Sequence, residues 1–526
     1  MEDDFEQPSR GRRVSLWTQV QRKLIQLRYA PPREQLKYLL LFLLLSSLVI
    51  LYLSLSFTAA PPSATSSSHT PPGTAVVLEG GHALTFRYDN ARTGVAPPST
   101  TSGYTVTLRE RMKRKGWSLL PTFDLFAPSN APNGAAGGPG GELTLYTKDW
   151  ETPRLNYDTY SASKSSPAVV GDVIYIGTDR GTLLAASRAT GEVLWEYQCK
   201  HHTKGIHGTP TVDGDMVYIG GYDGHMYGID RHDGELVWVN KVGGSIGASS
   251  LVFKDTLLIG VEVFRGQSGG WLIGLDKNTG IENFRSQLLD DFCHSSPAFD
   301  EETGLAFMGD NSGLLSCWNV TAHLQSGDTR NPQTNFWDRT IQAPREWEFK
   351  SLNNYGRGKH GDIKSTPMVY RDLVYFTSWD RNIYALNKFT GKMEWHYKTK
   401  GSIMSSPAID PTRNLVVVGS SDQSIYCLDA RTGALRWSIP TDGGIMSSAT
   451  ILPHEGVAII GSGTSRNDWS ASGGGRGIWV VDIETGQVLQ TLALRSGLTG
   501  MPVAVRSNLY AFDHLGYLYS FSSRIV

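Results

Sequence analysis

The sequence predicts an all-β protein, an eight-bladed β-propeller of four-stranded antiparallel blades, preceded by one transmembrane helix. Three observations predict the propeller. A small-residue-plus-proline step recurs eight times, a β-branched strand ending in glycine follows most copies, and most units close on Asp, three places, Gly, three places, Trp. Four short strands in roughly 40–55 residues, repeated in tandem, are the pattern of propeller blades.

The helix comes first along the chain. Tyr38 to Phe57, "YLLLFLLLSSLVILYLSLSF", carries no charge over about 20 residues, the length needed to cross roughly 30 Å of hydrocarbon. A cleaved signal peptide is the alternative, but signal cores are shorter and a leader ending only at residue 37 is long for one. Arg10, Arg12, Arg13, Arg22, Lys23, Arg28, Arg33 and Lys37 precede the span, and no Lys or Arg follows until Arg87. The positive-inside rule then keeps residues 1–37 as a basic cytoplasmic tail and places the rest in a lumen, the periplasm or the exterior. Residues 58–82, rich in Pro, Ser and Thr, cannot bury apolar surface and read as a stalk. "APSNAPNGAAGGPGG" at 127–141 reads as a flexible loop, and the basic "RERMKRKGW" before it as a solvated segment.

The propeller is expected over 83–526. Its units open with "SSPA" at 165, "GTPT" at 208, "ASSL" at 248, "SSPA" at 295, "STPM" at 365, "SSPA" at 405, "SSAT" at 447 and "GMPV" at 500. Strands such as "DVIYIG" and "NLVVVG" follow, then a polar turn and an alternating strand such as "QSIYCLD". In the closing phrase the Asp accepts hydrogen bonds from turn amides and the Gly supplies a positive φ. The large ring that follows, Trp195, Trp238, Trp395 or Trp437, then docks on the neighbouring blade. Blade three carries Phe284 in that place and blade seven Gln490. Blade four lacks the phrase and carries an insertion at 322–358, whose Trp337, Trp347 and Phe349 either anchor a partner or pack back on the propeller.

These repeats resemble the pyrroloquinoline quinone (PQQ) repeat of the quinoprotein alcohol dehydrogenase-like propellers, through "SSPAV", "IYIG" and the Asp–Gly–Trp phrase. The resemblance covers about four-fifths of the chain. It implies the fold, and it leaves activity open, because the superfamily holds both quinoprotein dehydrogenases and non-enzymatic BamB-like members. "LTFRYDNARTGVAPP" at 84–98 is similar to the superfamily's opening segment. It implies that Leu84 to Phe86 supplies the last blade's missing outer strand, pairing antiparallel with Tyr517 to Phe521, so that no sheet edge is left frayed.

Chemistry is sought where the units differ. The residue three places before the Pro position of each unit, at the start of the innermost strand that lines the channel, is read as Lys164, His207, Ala248, His294, Lys364, Met404, Met446 and Thr499 in turn. Plain channel lining fits this register. So does a ligand site, since Lys and His favour an anion and His with Met is a soft-metal pairing. Cys293 is not paired with His294, because neighbouring side chains on a strand point to opposite faces. A quinoprotein enzyme would need PQQ with Ca²⁺, held by Glu, Asn and Asp, and in many members a vicinal cysteine pair. The cysteines, Cys199, Cys293, Cys317 and Cys427, are scattered, and no catalytic residue or metal site is matched.

Other classes are disfavoured. A net charge of −1 gives no field for nucleic acid. The Gly-rich stretch 461–477 lacks the Lys-Ser/Thr step of a phosphate loop. Asn319-Val320-Thr321 is a glycosylation sequon on the non-cytoplasmic side. The expectation is therefore a single-pass type II membrane protein whose propeller binds a protein or small ligand without catalysis; a membrane-anchored PQQ-dependent oxidoreductase is the alternative.

Overall fold

Residues 145–155, 165–199, 205–264, 268–326, 343–352, 361–463 and 477–523 are described by the structure, a computed structural model. Every described residue belongs to one compact unit, Leu78–Val526. Tyr38–Phe57, the stalk, the 127–141 loop, Leu84–Phe86, Lys164 and Trp337 lie outside the described residues. No helix among the described residues is long and apolar enough to cross a membrane.

Eight antiparallel four-stranded sheets follow one another in order. Blade one comprises Ala168–Val170, Val173–Gly177, Thr182–Ser187 and Val193–Gln198, and the innermost strands of the next six blades begin at Thr211, Leu251, Ala298, Met368, Ala408 and Thr450. Blade eight takes Val503–Val505, Asn508–Phe512 and Leu518–Ser523 from the end of the chain and its outer strand, Tyr146–Glu151, from much earlier. That corrects the expected closure. Leu518–Ser523 has Asn508–Phe512 on one edge and Tyr146–Glu151 on the other, so no edge is left for Leu84–Phe86.

The repeated words have mechanical meanings. In the small-Pro step, the second residue of six of the eight blades donates a hydrogen bond to the next blade. Ser166 N–H donates to Thr209 Oγ1 at 3.0 Å, Thr209 N–H to Ser249 Oγ at 2.9 Å, and Ser249 N–H to Ser296 Oγ at 2.9 Å. Thr366, Ser406 and Ser448 continue the belt, and Met501 N–H returns to Ser166 Oγ at 2.8 Å. Proline at the following position costs nothing in such a belt, because the donor is one residue earlier.

The closing phrase builds a second belt, further out. At Asp429 one carboxylate oxygen accepts from Arg431 N and Thr432 N at 3.1 and 3.0 Å, while Gly433 turns at φ +70°. The preceding blade's Trp395 lies flat on this turn: its Nε1–H donates to Ala430 O at 3.0 Å, and a Cβ added to Gly433 would stand 2.6 Å from the ring. Trp195, Trp238 and Trp437 make the same bond to Arg231, Lys277 and Ile483. Directly across from each ring stands a small residue: Ala185 opposite Trp195, Gly228 opposite Trp238, Ala385 opposite Trp395 and Cys427 opposite Trp437. Small partners leave room for the indole in a close-packed interior.

The departures from the phrase obey one rule: a blade carries Trp when the next blade offers the Gly turn. Blade four offers none, and blade three has Phe284, buried against the His323 ring of the helix Val320–Ser326 at 5.2 Å between centroids. Blade eight offers none, and blade seven has Gln490, whose Oε1 accepts from Leu145 N and Tyr146 N and whose Nε2 donates to Tyr146 O. Conversely, blade five offers Gly391 and blade one Gly191, so blades four and eight need an indole. Trp347 and Trp150 supply them, each ring lying within 2.7 Å of where a Cβ on that glycine would sit.

Trp347 and Phe349 pack back on the propeller. Trp347–Lys350 is blade four's outer strand, Trp347 Nε1–H donates to Lys388 O at 3.0 Å, and Phe349 packs on Phe376 and Tyr384. The insertion first detours to blade three, where Ala343 N–H donates to Arg285 O at 2.8 Å and Gln287 N–H to Ala343 O at 3.1 Å. It clamps the seam that lacks an indole.

Candidate functional site

Strand direction assigns the loops to two faces. Each innermost strand leaves the small-Pro step, and the second strand returns to it, so the second-to-third-strand turns and the connections between blades share one face with the channel register. The Asp–Gly–Trp turns belong to the opposite face, where the blade-four insertion leaves Asn319; its Arg345 reaches the connection that leads into His294, Nη2–H donating to Leu288 O at 2.8 Å.

At the mouth, His207, His294, Lys364, Met404, Met446 and Thr499 are each half-buried between fully buried neighbours, as expected of side chains lining an opening. Blade three needs a correction. Ile246 fills the position that Ile206 and Ile445 fill elsewhere, against Gly220, Gly177 and Gly419 respectively, so the register residue is Gly247. Ala248 is buried one place further on. Tyr222 occupies the space above Gly247, where a Cβ would stand 3.1 Å from its ring.

Sequence reading missed a second ring, formed by the residue two places after each second strand's closing glycine or its equivalent. Its members include Asp179, Tyr222, Glu262, Asn311, Trp379 and His514. The signal was present in "IGTD", "IGGY", "IGVE", "MGDN", "FTSW" and "AFDH", but those words read as turns. The fold places the two rings in contact. His207 stacks on Tyr222 at 4.1 Å between centroids and lies 3.7 Å from an Asp179 carboxylate oxygen. The Lys364 ammonium sits 3.7 Å over the Trp379 ring and 3.2 Å from Asp362. Thr499 Oγ1 meets His514 Nε2.

The most enclosed pair is Glu262 with His294. Glu262 is 3% exposed, on a blade-three hairpin whose strands, Thr256–Phe264 and Ser268–Asp276, each run nine residues against five or six in the other blades. One carboxylate oxygen accepts from Ser245 Oγ at 2.5 Å and the other meets His294 Nδ1. A carboxylate so buried requires such partners. The contact holds the imidazole by one edge, with Nδ1 buried and the ring overall 32% exposed. Cys293 points the other way, with Sγ on Val261 O at 3.2 Å, and burial beside Glu262 holds its thiol well above the ordinary range.

Among the described residues no three His, Cys, Asp or Glu side chains are grouped to hold a metal, Glu262 is committed to Ser245 and His294, and all four cysteines are free and buried far apart in sequence. Cys317 and Cys427 are the small residues beneath the Trp347 and Trp437 rings. Asn319, the sequon residue, caps the helix Val320–Ser326, its Oδ1 accepting from Ala322 N at 2.9 Å.

Against known proteins, the family model for outer membrane protein assembly factor BamB matches residues 139–349 and 336–524. The chain belongs to that family. It is thereby a PQQ-repeat β-propeller. No curated protein is matched by the chain. Among solved structures it is similar to BamB from Moraxella catarrhalis, with 16% identity, TM-score 0.54, 72% of this chain and 100% of that one. It is also similar to a europium-containing methanol dehydrogenase, with 12% identity, TM-score 0.57, 84% of this chain and 98% of that one. A quinohemoprotein alcohol dehydrogenase from Comamonas testosteroni shows 12% identity, TM-score 0.56, 84% of this chain and 80% of that one. At these identities the likeness concerns the fold.

Proposed function

We propose that this family member is a non-catalytic binding module, a propeller held outside the cytosol by the anchor at Tyr38–Phe57 and receiving a protein or small ligand at the channel mouth. The observation that carries the reading is the state of the mouth. Among the described residues its polar side chains pair with one another, Glu262 with His294 and Lys364 with Asp362 and Trp379, in arrangements that shape a surface. The basic residues before the span support a cytoplasmic N-terminus.

The competing reading is a membrane-anchored quinoprotein oxidoreductase, and one experiment separates the two. PQQ and Ca²⁺ are added to the purified full chain, and cofactor absorbance and dye-linked alcohol oxidation are recorded. The binding-module reading expects neither stoichiometric cofactor uptake nor turnover; uptake with turnover overturns it. Protease protection of the tail and of the propeller in sealed vesicles checks the topology.

A further inference from the structure

We propose that the sector of the mouth over blade four is a receptor for the carboxyl terminus of an extended polypeptide with apolar residues behind its carboxylate. The proposal rests on the binding-module reading and gives that module a partner class. Four residues carry it: His294 and Lys364 at the mouth, Leu288 and Leu352 toward the rim.

His294 and Lys364 are neighbours around the channel, because the residues that follow them are directly bonded: Ser295 Oγ–H donates to Ser365 O at 2.8 Å. Their chemistries differ in a way that selects a ligand. Glu262 takes the Nδ1 edge of His294, so in the neutral ring the other nitrogen, Nε2, is a hydrogen-bond acceptor on the exposed side. Lys364 is a donor with a full charge; its ammonium is braced by the Trp379 ring and by Asp362, and it keeps hydrogens for a third partner. An acceptor beside a charged donor is complementary to a carboxylate carrying an N–H or O–H on the adjoining carbon. The last residue of a polypeptide has that pairing, with its amide N–H for His294 and its carboxylate for Lys364.

The rim distinguishes a polypeptide from a free small acid. Among the described residues of the connections that lead into His294 and Lys364, Leu288 and Leu352 are exposed, each at 48%. Both are pinned by their backbones: Leu288 O accepts from Arg345 Nη2 at 2.8 Å, and Leu352 N–H donates to Tyr384 Oη at 2.9 Å. Two fixed, exposed apolar side chains behind a carboxylate-binding pair match a chain entering from the rim with its own apolar side chains toward the propeller.

The test uses the full chain in detergent and a fluorescent hexapeptide bearing two leucines and a free C-terminal carboxylate, with its C-terminal amide and with acetate as comparisons. The acid is expected to bind at least about tenfold more tightly than the amide, the effect of one charge-assisted hydrogen bond. Lys364→Met and His294→Leu should erase that difference, and Leu288→Asn with Leu352→Asn should weaken acid and amide alike. Circular dichroism confirms that each variant is folded. Equal binding of acid and amide, or a preference that survives Lys364→Met, overturns the proposal. Displacement of the peptide by acetate at equal concentration assigns the site to small acids and overturns the polypeptide. PQQ-dependent turnover would sink the binding-module reading separately, and a peptide preference would still be read independently of it.

Discussion

Replacing Trp395 with alanine tests the belt between blades most directly. The indole is buried, rests on the turn at Gly433, and packs against Tyr375 with centroids 5.9 Å apart. A buried tryptophan removes on the order of 200 Å² from water, and truncating one in a core costs about 3–5 kcal/mol. The lost hydrogen bond adds little, because Ala430 O also accepts from Tyr375 Oη at 3.0 Å and is not orphaned. Gly433→Ala damages the same contact from the other side: alanine is strained by about 1–2 kcal/mol at φ +70°, and its Cβ collides with the ring. In the Trp395→Ala background the collision vanishes and only the backbone strain is left. The double variant should then be more stable than the sum of the single losses by about 1–3 kcal/mol. Denaturant unfolding of the full chain, followed by far-UV circular dichroism, measures all four corners of the cycle. Strict additivity would refute the docking argument. So would a loss of ligand binding in a folded Trp395→Ala protein, since the belt lies toward the face opposite the mouth.

Two further outcomes follow from the fold. Gln490→Ala removes one acceptor and one donor that hold the start of Tyr146–Glu151 against blade seven, taking away three hydrogen bonds to the backbone of Leu145 and Tyr146; a loss of about 1–3 kcal/mol and faster proteolysis of that strand are expected. Unchanged proteolysis would show that closure does not depend on this glutamine. Burial raises the Asp310 carboxyl above the ordinary aspartate range, despite hydrogen bonds from Ser312 and Leu314. Its contribution to stability is thus present below the unfolded aspartate value and lost as pH rises through the raised folded one. Asp310→Asn keeps the acceptor and removes the charge, so its stability relative to wild type should improve from acid to neutral pH, read from urea midpoints; a flat difference would contradict the assignment.

The repeat was legible because its words are local. A turn needs Asp and Gly at fixed spacing wherever it occurs, and a strand that lies between two sheets is apolar wherever it occurs, so blade number and strand order follow from the chain itself. Even the exceptions were visible as exceptions: Phe284, Gln490 and the missing phrase after Asn319 were each noted. Their meaning was not, because each compensates a residue of the next blade, and sequence alone does not say that Gly391 requires Trp347 or that Gly191 requires Trp150. The same limit misplaced ring closure at Leu84–Phe86 and the blade-three register at Ala248: both depend on which segment fills a space bounded by residues distant along the chain.

The sequence by itself determined the repeat and the strand order, because hydrophobic periodicity and turn chemistry act over a few residues. Only the tertiary structure decided which face each described loop occupies, why Glu262 is buried with Ser245 and His294, and that Trp347 joins two blades. Those are outcomes of closing a ring, in which the last strand must meet the first and every side chain between blades is chosen by its neighbour.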